Sequence, residues 1–226
     1  MAPFSPELQK FLKDLKAHNN KEWFERNRGR YEEFYRDAFS EFISGYAPYL
    51  ARISSNFVAD PRPIGGSVMR IYRDIRFSPD KTPYKTYTVV HFGHAKAGEG
   101  AAPGFYLYVA PDEVEAGAGI WHPEPAAARK VREAIGRRSE SWTKITRTKA
   151  FADRFELSGE SLKRPPPGID PDHPLIEDLK RKSWIASTPV SARSFTSSKF
   201  LREYDTICRS VSPFVQFLSE AVGLPF

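Results

Sequence analysis

The chain has 226 residues, of which 40% are hydrophobic and 27% charged, with a net charge of +6, 17 Phe and 10 Tyr. Such values are ordinary for a folded protein and allow a substantial core without cross-links. A single cysteine excludes an internal disulfide, and no stretch approaches the roughly 18 unbroken apolar residues of a membrane-spanning helix. The N-terminus also lacks the pattern of a secretory signal. We therefore expect a cytoplasmic protein with no membrane partner.

Helical periodicity dominates the N-terminal part of the chain. Leucine and phenylalanine recur at helical spacing over residues 5–17, after a serine and a proline that suit the start of a helix. A second helix is predicted to begin after the Asn19-Asn20 pair. We expect it to stop or bend near Gly45 and Pro48, because proline interrupts helical hydrogen bonding.

The periodicity then changes to alternation, which indicates strands. A first strand is predicted over residues 67–77, with Ile75 and Phe77 in the core and charged side chains on the opposite face. Further strands are predicted at 87–92, 105–109, 114–121 and 183–188. Helices are predicted again at 124–150, 174–182 and 196–222.

The order of these elements predicts the fold class. Runs of helices on either side of a run of strands are typical of α+β domains, and short connections between strands favour antiparallel pairing. We expect a single antiparallel β-sheet of about four or five strands, covered by N-terminal and C-terminal helices. One domain is predicted to span residues 1–226.

The densest polar chemistry lies in the segment RIYRDIRFSPDKTPYK, residues 70–85, which we call the basic loop. It holds five basic and two acidic side chains, and two prolines stiffen its second half. A rigid cationic loop suits recognition of phosphate or carboxylate, since arginine binds such groups in a bidentate manner and lysine adds a point charge. A structural alternative is equally open: the arginines could pair with Asp74 or Asp80 and hold the loop together.

A polar face of the sheet is expected to extend this candidate site. His91 and Tyr106 are predicted to lie there beside Arg70, and His91 could transfer a proton. The histidines and the cysteine show no metal-ligand spacing and no cofactor motif is present, so neither a metal nor a cofactor is predicted. The candidate ligand-binding residues are Arg70, Arg73, Asp74, Arg76, Ser78, Asp80, Lys81, Thr82, Tyr84, Lys85, His91 and Tyr106.

Three segments carry a resemblance to a known family: HNNKEWFERNRGRYEEFY (18–35), RDIRFSPDKTPYKT (73–86) and GFYLYVAP…GAGIWHPEP (104–125). Together they resemble a widespread family of conserved hypothetical proteins catalogued as a domain of unknown function. The segment LKRPPPGIDPDHPLIEDLKRKSW (162–184) is similar to the C-terminal half of that family.

The resemblance implies a one-domain protein with a helix-covered sheet. It implies no activity, so no catalytic residue is carried over. The residues that it marks as site candidates are Asn19, Asn20, Trp23, Phe24, Arg73, Asp74, Arg76, Phe77, Ser78, Asp80, Lys81, Thr82, Pro83, Tyr84 and Lys85.

Several functions stay open at this point. The first is an anion-binding module that takes a phosphorylated metabolite or a nucleotide in the basic loop and on the polar sheet face. An alternative is an enzyme for a phosphate- or carboxylate-bearing substrate, in which Asp74, Asp80 or His91 moves a proton and a deep pocket adjoins the loop. A further alternative is a nucleic-acid or protein interaction domain. The expected partner is thus a small anionic ligand or nucleic acid.

Overall fold

The computed structural model describes residues 2–97 and 102–226. The strands are β1 (Thr88–Gly93), β2 (Gly104–Val109), β3 (Val114–Ile120), β4 (Glu156–Ser158) and β5 (Trp184–Pro189). A π-helical segment at Glu32–Asp37 joins the third helix to the fourth. The helices are α1 (Pro6–Ala17), α2 (Lys21–Arg26), α3 (Arg28–Tyr31), α4 (Ala38–Ile53), α5 (Pro125–Arg137), α6 (Ser139–Thr146), α7 (Lys149–Ala152), α8 (Ile176–Leu179), α9 (Ala192–Phe195) and α10 (Phe200–Val222).

The strands form one sheet in the order β1-β2-β3-β5-β4, and every neighbouring pair is antiparallel. With helices before and after the strands in the chain, this confirms the predicted α+β fold with a single antiparallel sheet. Strand β4 was not predicted, because three residues are too few for alternation to show.

One face of the sheet is part of the hydrophobic core. Phe92 and Phe105 are fully buried there, and α10 packs across β3. Helix α4 lies beside α10, where the rings of Tyr46 and Tyr204 meet edge to face at 4.8 Å between centroids. Alternate residues of the strands point to the opposite face, which we call the outer sheet face. Its tyrosines, such as Tyr108 on β2, are only partly buried.

The predicted strand over residues 67–77 is wrong. The segment pairs with β1 only at the isolated bridge from Val68 to Val90. Further along, Tyr72 forms a second isolated bridge, to Tyr84 of the loop itself. Regular pairing stops there because the next partner is Pro83, which has a carbonyl to accept a bond but no N–H to donate. Beyond that point the chain turns outward. Ile75 is therefore only half-buried, and Phe77, predicted to lie in the core, is 93% exposed.

The helices differ from expectation mainly at their ends. The second predicted helix is divided into α2, α3, the π-helical segment and α4, and α4 continues through Pro48 to Ile53. Burial of its aromatic stripe against α10 outweighs the one hydrogen bond that proline removes. The helices predicted within 124–150 are α5, α6 and α7. Among the described residues, no helix combines the length and the apolarity that crossing a bilayer demands.

Two glycines, one in the sheet and one in a helix, offer a paired test of the close approach between β3 and β5. Gly119 of β3 has φ of +150°, and a Cβ on it would lie 2.0 Å from the main-chain oxygen of Trp184. Gly136 of α5 has open space around its Cα. We expect Gly119→Ala to lower the free energy of unfolding by about 1–3 kcal/mol through backbone strain. Gly136→Ala should raise it by about 0.5–1 kcal/mol, since alanine is the better helix former. Urea unfolding of both variants measures this, and an equal effect of the two would contradict the account.

Candidate functional site

Asn19 joins the helical layer to the basic loop. Its side-chain Nδ2 donates to the carbonyl of Tyr84 at 2.8 Å, and its Oδ1 accepts from the N–H of Tyr84 at 3.1 Å. An asparagine amide carries both a donor and an acceptor, so it can pair with a main chain as a neighbouring strand would. We call this pair of bonds the Asn19 clamp. It places the loop against the end of α1.

The ring of Tyr84 is held from the same direction. Phe24 of α2 stacks on it with 4.1 Å between centroids and 14° between planes. Asn20 starts α2 by accepting the N–H of Trp23 at 2.9 Å. The segments 18–35 and 73–86 therefore meet at Tyr84, where Asn19 and Phe24 have structural roles.

Within the loop, Arg73 is the centre of a hydrogen-bond network. Its Nη1 donates to Oδ2 of Asp80 at 2.5 Å, to the carbonyl of Thr82 at 3.1 Å and to the hydroxyl of Thr82. Oδ1 of Asp80 accepts the N–H of Thr82 at 2.9 Å. These bonds, the one from the N–H of Thr82 most of all, hold the pKa of the Asp80 carboxyl below its usual range. We call this set the Arg73 network.

Three further cations of the loop, Arg76, Lys81 and Lys85, also have partners inside it. Arg76 pairs with Asp74 at 2.7 Å, and this bond lowers the pKa of Asp74. Lys81 donates to the carbonyl of Ile75 at 2.9 Å, and Lys85 donates to that of Arg70 at 3.0 Å. Both loop aspartates are thus matched by an arginine. These contacts favour a structural role for Arg73 and Arg76, one of the two alternatives that the sequence left open.

A cleft of about 540 Å³, open to solvent, lies between the loop and the end of α1, and we call it the loop cleft. Candidate residues of the basic loop supply six of its lining side chains: Arg73, Asp74, Asp80, Thr82, Tyr84 and Lys85. The rest of the lining consists of Lys16, Asn19, Thr86 and Tyr87.

Four predicted loop residues do not line the loop cleft: Arg70, Arg76, Ser78 and Lys81. Arg70 is nevertheless close to Lys85, whose pKa is lowered by partial burial and by the charge of Arg70. Ser78 is the more distant partner of Arg73, at 3.4 Å.

His91 and Tyr106 lie on the outer sheet face and outside the cleft lining. The Tyr106 hydroxyl lies 2.9 Å from the point that a Cβ on Gly117 would occupy, so its ring crosses to the next strand. The His91 ring likewise reaches across to Gly104 of β2. Neighbouring sheet atoms shield the ring from water and so lower its pKa, although the residue as a whole stays exposed. His91 and Tyr106 therefore lie on the outer sheet face, apart from the residues that line the loop cleft.

The lining of the loop cleft suits holding an anion better than moving a proton. Asp74 and Asp80, with lowered pKa, are ionised at neutral pH and cannot donate a proton there. His91 does not reach the cleft. In residues 2–97 and 102–226, no three His, Cys, Asp or Glu side chains converge where they could hold a metal ion.

Sequence reasoning missed three lining residues: Lys16, Thr86 and Tyr87. Lys16 is in the last turn of α1, four residues before α2 is capped, and one lysine in a mixed-charge helix gives no signal of its own. Thr86 and Tyr87 directly follow the basic loop. They could have been found by extending the candidate segment to the start of the next strand.

A family model described as "Conserved hypothetical protein (DUF2461)" matches residues 7–217 of the chain. The search of curated proteins and the search of solved structures each returned no significant match.

The Asn19 clamp can be tested by stability. Asn19→Ala leaves the N–H and the carbonyl of Tyr84 without partners, so we expect the free energy of unfolding to fall by about 1–3 kcal/mol. Asn19→Asp keeps the acceptor for the N–H and should lose less. Denaturant unfolding with both variants gives the comparison. An unchanged free energy of unfolding in Asn19→Ala would show that the clamp does not contribute to stability.

The Arg73 network makes a prediction about pH. Because the pKa of Asp80 is lowered from the ordinary 3.8, its bonds contribute stability above that pH and lose the contribution as pH falls through the lower, folded-state pKa. An NMR titration of the Asp80 carboxyl carbon should therefore show a midpoint below 3.8. The hydroxyl of Thr82 also donates to Oδ2 of Asp80, at 3.0 Å. Thr82→Val removes this hydroxyl but keeps the N–H, so the midpoint of Asp80 in the variant should rise part of the way toward 3.8. An unshifted midpoint in the native protein argues against the network.

Proposed function

This chain belongs to the DUF2461 family of conserved hypothetical proteins, and from the geometry of its loop cleft we propose that it is a module for binding a small anionic ligand that carries phosphate or carboxylate. The observation that carries the proposal is a surplus of positive charge in the cleft. Asp80 pairs with Arg73 and Asp74 with Arg76, whereas Lys16 and Lys85 have no carboxylate within 4.0 Å among the described residues.

The lysines differ in what holds them. Lys16 is exposed in the last turn of α1, with its ammonium free to reorient. Lys85 is half-buried, donates to the carbonyl of Arg70, and has a lowered pKa because burial and Arg70 both disfavour its charge. An anion beside Lys85 relieves that repulsion. Lys85 therefore gains more from a bound anion than a fully solvated lysine does.

The rest of the lining supplies neutral hydrogen-bond groups on fixed main chain. Thr86, which carries a hydroxyl, directly follows Lys85, and the Asn19 clamp fixes Tyr84, the residue before Lys85. A site whose positions are set in advance loses less entropy when a ligand binds. Mixed lysine and hydroxyl donors match the oxygens of phosphate or carboxylate.

A cytoplasmic location forms part of the proposal. The sole cysteine, Cys208, is buried and free, and burial raises the pKa of its thiol to about 12. A thiol of that kind is unreactive and needs no oxidising compartment.

The test uses inorganic pyrophosphate as the probe. Each of Lys16→Gln and Lys85→Gln removes one charge-assisted contact, so we expect each to weaken pyrophosphate binding about tenfold in titration calorimetry at low salt. Added salt should weaken binding to the native protein, as screening requires.

The control is Lys130→Gln, which makes the same charge change on the exposed surface of α5. It should leave the affinity unchanged. Equal losses for all three variants would mean that only net charge matters. No binding of pyrophosphate to the native protein at low salt would reject the function.

A further inference from the structure

An aromatic pair stands at the side of the loop cleft. Tyr87 lines the cleft and is 38% exposed. Its ring centroid lies 5.6 Å from that of Tyr108, with 34° between the ring planes. Tyr108 belongs to β2, where it pairs with Val89 and Glu115, and its side chain is on the outer sheet face. The loop cleft therefore continues onto the outer sheet face through two tyrosine rings.

We propose that the ligand of the loop cleft is a mononucleotide, whose phosphate lies against Lys16 and Lys85 and whose base lies on Tyr87 and Tyr108. This inference rests on the proposed function, since it adds a ring-binding surface to the same anion site. Bases stack on aromatic side chains whatever their sequence, and one such contact changes affinity on the order of tenfold.

The tilt of the rings suits an added planar group. The two tyrosines are tilted and not stacked face to face, and both are partly exposed, so another ring can contact them. Tyr108 is half-buried, which raises the pKa of its phenol, with further contributions from Glu113, Tyr87 and Glu115. A phenol that stays neutral and partly fixed costs little entropy to order.

Charge on the outer sheet face limits the ligand to a short one. Beyond Tyr108 stand Glu115 on β3, Glu113 in the turn before it and Glu156 on β4. The three carboxylates interact: partial burial raises the pKa of Glu115, and Glu113 and Glu156 raise it further. A phosphodiester chain laid across the face would bring its charges to these groups and be repelled. The surface therefore favours one phosphorylated unit with its base over a nucleic-acid strand.

The experiment compares adenosine monophosphate with ribose phosphate and with a thymidine oligonucleotide, by titration calorimetry on the full chain. We expect adenosine monophosphate to bind about tenfold more tightly than ribose phosphate. Tyr108→Leu should abolish that ratio and leave the affinity for ribose phosphate unchanged. Tyr108→Phe should keep the ratio, which separates loss of the ring from any damage to the fold.

Trp121→Leu is the matched control, because Trp121 is 59% exposed and follows the far end of β3 from Glu115. It should change none of the affinities. Equal affinities for adenosine monophosphate and ribose phosphate would overturn the inference and leave the anion site standing. Tighter binding of the oligonucleotide than of the mononucleotide would overturn the choice of a single unit. If neither ribose phosphate nor pyrophosphate binds, the proposed function fails together with the inference.

Discussion

The two hydrogen bonds between the Asn19 amide and the main chain of Tyr84 are the constraint on which the candidate site depends. They connect a loop without regular secondary structure to the packed helical layer. The stacked ring of Phe24 adds a second attachment to the same residue. Lys85, Thr86 and Tyr87 follow Tyr84 directly, so fixing Tyr84 also fixes where they stand relative to Lys16. Because the Asn19 amide bonds only to the main chain of Tyr84, the clamp does not restrict which side chains neighbour it.

The charges of the basic loop divide into two groups with different tasks. Arg73 and Arg76 are used internally: each bonds to an aspartate within seven residues of it in the chain, and Arg73 also bonds to Thr82. Local ion pairs of this kind replace the ladder that Pro83 interrupts. They are partly or largely exposed, so each contributes modestly, and it is the shared network that shapes the loop. The loop lysines, Lys81 and Lys85, bond only to main-chain carbonyls among the described residues, and so remain able to pair with an outside anion.

Sequence periodicity predicted most of the fold and part of the site. Alternation at 105–109 and helical spacing at 5–17 each indicate an element with one buried face. Strand β2 and helix α1 begin and end within one residue of those limits. The same rule failed at residues 67–77, because alternation of apolar and charged side chains does not reveal that Pro83 ends the pairing. Pro48 indicated a stop or a bend, but α4 continues through it as a helix because its apolar face is buried. The loop motif indicated six cleft residues, whereas Lys16 is brought to them by tertiary contact alone.

The arrangement separates the residues that build the site from those that can act in it. Asn19, Phe24, Arg73 and Tyr84 hold the loop, and any ligand gains from them only indirectly, through positions that they set. Lys16 and Lys85 and the rings of Tyr87 and Tyr108 stand on that frame with accessible surface. Carboxylates on β3 and β4 lie at the edge of this group of residues, on the outer sheet face. Under the proposed function, this arrangement selects the ligand by charge, by the presence of a ring and by length, because the cations, the aromatic faces and the opposing carboxylates follow one another across a single surface.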